Sequence, residues 1–154
     1  MSDLVERLEP MNDPSQKTVR DIMQQNVVTI SASDTLSTVE DIMTLGGVRH
    51  MPVVHRGVLV GVVSERDLLR ASLSNLTEFG MEERRAFLQV VEITRVMTTP
   101  PVVISPDATV QQAARALVDH QIGCLPVLED DKLIGLVTEK DVLRYLAAPL
   151  AGRY

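Results

Sequence analysis

Ser64, Asp67, Thr138 and Asp141 are the residues whose types and spacing best suit chemistry. They sit in two copies of one pattern: Gly, two apolar residues, Ser or Thr, Glu, a cation, Asp, an apolar residue, Leu and Arg. The copies are Gly61–Arg70 and Gly135–Arg144. In each, an apolar run ends and a hydroxyl residue opens a helical stretch, with Asp three residues on. One reading is local, because Ser/Thr-x-x-Asp caps a helix and an acidic first turn favours the helix dipole. The other reading is a ligand seat. A helix N-terminus presents unpaired N–H groups and partial positive charge, which suit a phosphate. The hydroxyl can donate to a phosphate oxygen, and a carboxylate one turn away can accept two hydrogen bonds from a ribose diol. Gly61 and Gly135 lack a side chain, so another backbone or a ligand can approach closely. These parts suit a nucleoside phosphate and include no nucleophile, general base or metal-bound water.

The elements that hold these residues repeat with a period of 74 residues and no gap. Residues 19–71 against 93–145 give 14 identities in 53 pairs, clustered in the motif, which coincidence between two apolar stretches does not readily give. A β-branched run (Val27–Ile30; Val102–Ile104) reads as a strand. A Ser/Asp/Thr cluster follows (Ser31–Thr35; Ser105–Thr109), then helical spacing of Leu36, Val39, Ile42 and Met43, and of Val110, Ala113, Ala114 and Leu117. Thr109 and Gln112 have capping-box spacing, whereas the first repeat has Thr38 at that place. The helices end near Gly46-Gly47 and between His120 and Gly123. Met51–Val54 with Val58–Val63, and Leu125–Leu128 with Lys132–Val137, read as hairpins with three-residue loops. A second helix starts at Ser64 or Thr138.

The order in each repeat is therefore β-α-β-β-α, an α/β (α+β) fold. About 53 residues is near the lower limit of independent stability, so the two repeats are expected to pack as one pseudo-symmetric module. The organisation read from the sequence is a polar leader (1–17), repeat one (18–72), an inter-repeat helical linker (73–92), repeat two (93–148) and a tail (149–154). The leader has only Leu4, Val5 and Leu8 to bury and reads as a short helix or a frayed end. Within the linker, Glu82–Val91 reads as a helix.

Composition narrows the partners. The 154 residues are 45% hydrophobic and 23% charged, which suits a globular core, and only 3% aromatic. A net charge of −6 argues against a nucleic-acid backbone, and the scarcity of aromatic rings argues against stacked single strands. No apolar run approaches the ~20 residues that span a bilayer, and the N-terminus has no secretory pattern. The single cysteine, Cys124, excludes a disulfide framework within the chain. The expectation is a cytoplasmic protein with no membrane partner. His50, His55, His120 and Cys124 do not make a closed tetrahedral zinc site, so no metal is expected.

The tandem β-α-β-β-α pattern, the Pro-Val strand openings at Pro52 and Pro126 and the doubled Gly-apolar-apolar-Ser/Thr-x-x-Asp resemble a stand-alone pair of CBS domains, the family named after cystathionine β-synthase. The resemblance implies a regulatory module that is not an enzyme. It implies two clefts between the repeats that take AMP, ADP or ATP, or S-adenosylmethionine, as a regulatory ligand. It also implies a homodimer whose arrangement a regulated protein partner reads. Carried over by position, Ser64 and Asp67 serve phosphate and ribose in one cleft, and Thr138 and Asp141 in the other. Adenine contacts fall to Val28, Thr29 and Ile30 with Arg49, His50, Met51 and Pro52. In the second repeat they fall to Val102, Val103 and Ile104 with Gly123, Cys124, Leu125 and Pro126. Arg66 and Lys140 adjoin the phosphate seats. Arg49 and His50 stand where the second repeat has Gly123 and Cys124, so the two clefts are expected to differ in affinity. The remaining alternative is a ligand-free interaction module whose motifs are only caps.

Overall fold

A computed structural model describes residues 6–8, 17–73 and 80–148. The leader's Leu4 and Val5, the linker stretch 74–79 and the tail 149–154 lie outside the described residues. The elements in order are β1 (Glu6–Leu8), α1 (Val19–Ile22), β2 (Ile30–Ser31), α2 (Leu36–Gly46), β3 (His50–His55), β4 (Val58–Ser64) and α3 (Glu65–Leu73). Then come α4 (Met81–Val90), a 3-10 turn (Ile93–Arg95), β5 (Val102–Ile104), α5 (Val110–His120), β6 (Cys124–Glu129), β7 (Lys132–Thr138) and α6 (Glu139–Ala147). The doubled β-α-β-β-α order is present.

The chain divides into two compact units. One is contiguous, residues 28–100; the other joins 1–27 to 101–154. The contiguous unit holds a three-stranded sheet ordered β2-β3-β4, with β2 parallel to β3 and β3 antiparallel to β4. Its core joins Leu36, Val39 and Met43 of α2 to Met51, Val53 and Val63 of the hairpin, with Leu88 of α4 and Ile93. The α2 residues fall at helical spacing, which is why one face of that helix is buried. The discontinuous unit holds the sheet β1-β5-β6-β7. Its core joins Val110, Ala113, Ala116 and Leu117 of α5 to Leu125, Val127 and Val137, with Val19 of α1.

Several local expectations change. Glu6–Leu8 forms a strand parallel to Val102–Ile104, not the helix or frayed end expected of the leader. The strand expected over Val27–Ile30 is only Ile30–Ser31. Both hairpin loops have two residues, not three. Arg56 and Gly57 have φ of 50° and 78°, and Asp130 and Asp131 have 50° and 62°. Positive φ at both positions is the twist that joins two right-twisted strands. Each hairpin also has a register shift, at Val53/Val54 and at Val127/Leu128.

Val19–Ile22 is a short helix and Ile93–Arg95 a 3-10 turn, each just before a repeat's first strand. Residues 19–24 lie in the unit that holds 101–148, and residues 93–98 in the contiguous unit 28–100. Gln24 exchanges backbone bonds with Leu136 of β7 (2.9 and 3.0 Å), and Thr98 does so with Val62 of β4 (3.1 and 2.8 Å). The two glycines make this possible. A Cβ on Gly61 would lie 2.7 Å from Met97 Sδ and 2.8 Å from the Thr98 carbonyl; one on Gly135 would lie 2.5 Å from Met23 Sδ and 3.0 Å from the Gln24 carbonyl. Of the two uses read for these glycines, close approach of another backbone is the one seen. At α1, Arg20 pairs with Glu129 and lies 3.6 Å from Asp107; the bond to Glu129 raises the Arg20 pKa above its ordinary value.

Candidate functional site

Each predicted set of site residues falls within one unit. Thr29, Ile30, Arg49, His50, Met51, Pro52, Ser64, Arg66 and Asp67 belong to the contiguous unit, and Val103, Ile104, Gly123, Cys124, Leu125, Pro126, Thr138, Lys140 and Asp141 to the other. Strand register does the gathering. His50 stands opposite Ser64 and Cys124 opposite Thr138, so the start of one hairpin strand meets the end of its partner. The helix then begins at once, and its first N–H bonds across: Glu65 N–H donates to the Arg49 carbonyl (2.8 Å) and Glu139 N–H to the Gly123 carbonyl (3.0 Å).

The side chains available differ from the expectation in detail. Met51 and Leu125 are fully buried core residues, and Val103, Ile104, Pro52, Pro126 and Cys124 are buried as well. What these positions can offer a ligand is backbone. Thr29, Arg49, Arg66 and Lys140 are exposed, and Ile30 is buried against β3. Arg49 Nε lies 3.6 Å from Glu65, a pair exposed on both sides and therefore weak. Among the described residues, no group of three or more His, Cys, Asp or Glu is placed to hold a metal ion.

Both Ser/Thr-x-x-Asp motifs are complete capping boxes. Ser64 N–H and Oγ–H donate to Asp67 Oδ2 (2.9 and 3.0 Å), and Asp67 N–H donates to Ser64 Oγ (3.2 Å). Thr138 N–H and Oγ–H donate to Asp141 Oδ2 (2.8 and 3.0 Å), and Asp141 N–H donates to Thr138 Oγ1 (3.3 Å). The cap and the ligand seat therefore compete for some groups and not others. Each hydroxyl proton is committed to the carboxylate, so donating it to a phosphate costs that bond. Of the first three helix N–H groups, one is bonded to the opposite strand and one to the cap hydroxyl. The Arg66 and Lys140 N–H groups have no partner among the described residues. They lie in the first turn, where the helix dipole favours an anion, and each adjoins its own side-chain cation.

The two carboxylates differ in their second oxygen. Asp67 Oδ1 has no hydrogen-bond partner among the described residues, and Asp67 is half-buried. Asp141 is 7% exposed. The Gln24 side-chain amide Nε2 lies 3.3 Å from its Oδ1 and 3.2 Å from its Oδ2, and Arg144 stands 3.9 Å from Oδ1. Gln24 has no motif around it. Its partner is 117 residues away, so only the fold reveals the pair.

Comparison with known proteins follows the same two stretches. The CBS domain profile matches residues 19–74 and 90–148. A CBS domain-containing protein of Dictyostelium discoideum is 31% identical over 130 residues, covering 83% of this chain and 90% of that one. The inosine-5′-monophosphate dehydrogenase of Korarchaeum cryptofilum is 31% identical over 130 residues, covering 84% of this chain but only 24% of the enzyme. The crystal structure of CBSX2 in complex with AMP superposes with a TM-score of 0.68 at 30% identity, covering 84% of this chain and 96% of that one.

Proposed function

The chain belongs to the CBS domain family as a tandem pair, and from that premise we propose that it is a regulatory module that binds an adenine nucleotide and is not itself an enzyme. One observation carries the reading. At Ser64–Asp67 the cap engages a single carboxylate oxygen, leaving Asp67 Oδ1 and the Arg66 N–H without partners among the described residues at the mouth of the β3–β4 hairpin. A ribose hydroxyl fits the first and a phosphate oxygen the second. The similar CBSX2 carries AMP, which supports the choice of nucleotide. Adenine would be gripped by backbone and aliphatic groups, since Met51, Pro52 and Ile30 supply no aromatic ring.

The module acts as a homodimer whose arrangement the nucleotide biases. A ligand shifts such an equilibrium only by its differential affinity for the two arrangements. No helix among the described residues is long and apolar enough to cross a membrane. The direct test is thermal stability with millimolar AMP, ATP or S-adenosylmethionine. A ligand at 100 times its dissociation constant stabilises by about 2.7 kcal/mol. No shift with any of the three would leave the second reading, a ligand-free interaction module. The completeness of both capping boxes favours that second reading, because it gives each motif a purely structural purpose.

A further inference from the structure

We infer that the Gln24 carboxamide is a built-in occupant of the Asp141 seat, so that the chain's two nucleotide seats are unequal and the Ser64–Asp67 seat fills first. This rests on the nucleotide reading above and names the residue that sets the order. A ribose diol asks a carboxylate for acceptor positions directed away from the protein. Asp141 Oδ2 already accepts two hydrogen bonds from Thr138. The Gln24 amide then spans both oxygens, at 3.3 and 3.2 Å. A carboxylate only accepts, so the nitrogen is the end of the amide that faces it.

The occupant is held by the backbone and not by chance. Gln24 N–H donates to Leu136 O and Leu136 N–H to Gln24 O, at 2.9 and 3.0 Å. That ladder places the Gln24 side chain beside α6. The repeat counterpart of Gln24 is Thr98, which has the same ladder to Val62. Thr98 has a shorter side chain, and among the described residues no hydrogen bond joins it to Asp67. The same backbone device thus carries a capping amide in one unit and none in the other. The Gln24–Asp141 contacts are long and Gln24 is exposed, so a ribose hydroxyl can displace the amide at a modest cost.

Titration calorimetry with AMP tests this on the whole chain and its Gln24→Ala, Thr98→Gln and Asp67→Ala variants. The expected result is a tighter site lost in Asp67→Ala and a weaker site strengthened about three- to tenfold in Gln24→Ala, the range of one exposed hydrogen bond. Thr98→Gln, which installs the amide beside Asp67, is expected to weaken the tighter site by a similar factor. Two equal sites in the parent chain, or weaker binding in Gln24→Ala, overturns the inference. A ligand-free cycle decides the contact separately: melting-temperature losses of Gln24→Ala and Asp141→Asn are expected to be less than additive, and full additivity overturns it. AMP binding to none of the chains sinks the nucleotide reading, while the cycle still decides whether Gln24 occupies Asp141.

Discussion

Met23 lies over Gly135 so closely that no side chain fits between them: a Cβ there would stand 2.5 Å from the Met23 sulfur and 3.0 Å from the Gln24 carbonyl. Met97 stands in the same relation to Gly61. The motif glycines are thus needed by the protein's own chain, whatever a ligand asks of them.

Gly135→Ala and Gly61→Ala are each expected to destabilise by about 1–3 kcal/mol, the usual cost of overpacking. At both sites the closest atom is a methionine sulfur, with a backbone carbonyl behind it that cannot be trimmed, 3.0 Å away at Gly135 and 2.8 Å at Gly61. Shortening Met23 in a Gly135→Ala/Met23→Ala double variant should therefore cost less than the sum of the singles, and the matching Met97→Ala change should recover less at Gly61, where the carbonyl is nearer. Urea titration of the four chains checks this, and equal recovery at both sites would contradict it.

The first helices of the repeats differ at their caps. Thr109 is 1% exposed and its Oγ accepts the Gln112 N–H at 3.0 Å, with Gln112 Oε1 accepting the Thr109 N–H in return. Thr35 makes no cap bond; its hydroxyl meets Ser37 Oγ at 3.0 Å. Thr109→Ala should cost about 1 kcal/mol and Thr35→Ala less than half of that. Denaturation midpoints of the two variants give the comparison.

Asp67→Asn separates cap from seat. The asparagine oxygen can still accept the Ser64 N–H, so little stability should be lost. The other carboxylate acceptor becomes an amide donor, which cannot accept from a ribose hydroxyl. AMP binding is expected to fall at least about tenfold, the scale of losing a bond to a charged acceptor. Calorimetry alongside thermal melting reads both effects; unchanged binding would favour the cap-only reading.

Arg66→Gln keeps the backbone N–H and removes the charge. AMP affinity should fall about two- to tenfold, and more at low than at high salt, because an exposed cation is screened. A salt series of titrations shows whether the side chain contributes or merely stands in solvent.

Much of this was legible in the residues. Periodicity placed α2 and α5 to within a residue, because each buries one face at helical spacing. The Thr109–Gln112 box and both Ser/Thr-x-x-Asp caps were readable because they are closed within four residues. The hairpin loops were misjudged by one residue because Arg56, Asp130 and Asp131 adopt positive φ without being glycine. β1 was missed because three residues of a polar leader carry no pattern; what makes them a strand is the free edge of Val102–Ile104. Gln24 and Met23 were invisible as site residues for the same reason. Their partners, Asp141 and Gly135, are more than a hundred positions away.

The pairing of the opening segment with the closing one also sets an order of assembly. Among the described residues, the sheet β2-β3-β4 and the core around it are drawn from one continuous stretch, residues 28–100. Val19 N–H must find the Ala108 carbonyl, and Gln24 must find Leu136. On the ribosome, the middle of the chain can therefore complete its own fold while the segment made before it still waits for strands not yet synthesised. Closing so long an interval adds a chain-entropy cost that local hairpins do not face. The unit containing Asp67 is thus the one expected to gain protection first during synthesis, and the unit containing Asp141 the one that waits for residues 101–148.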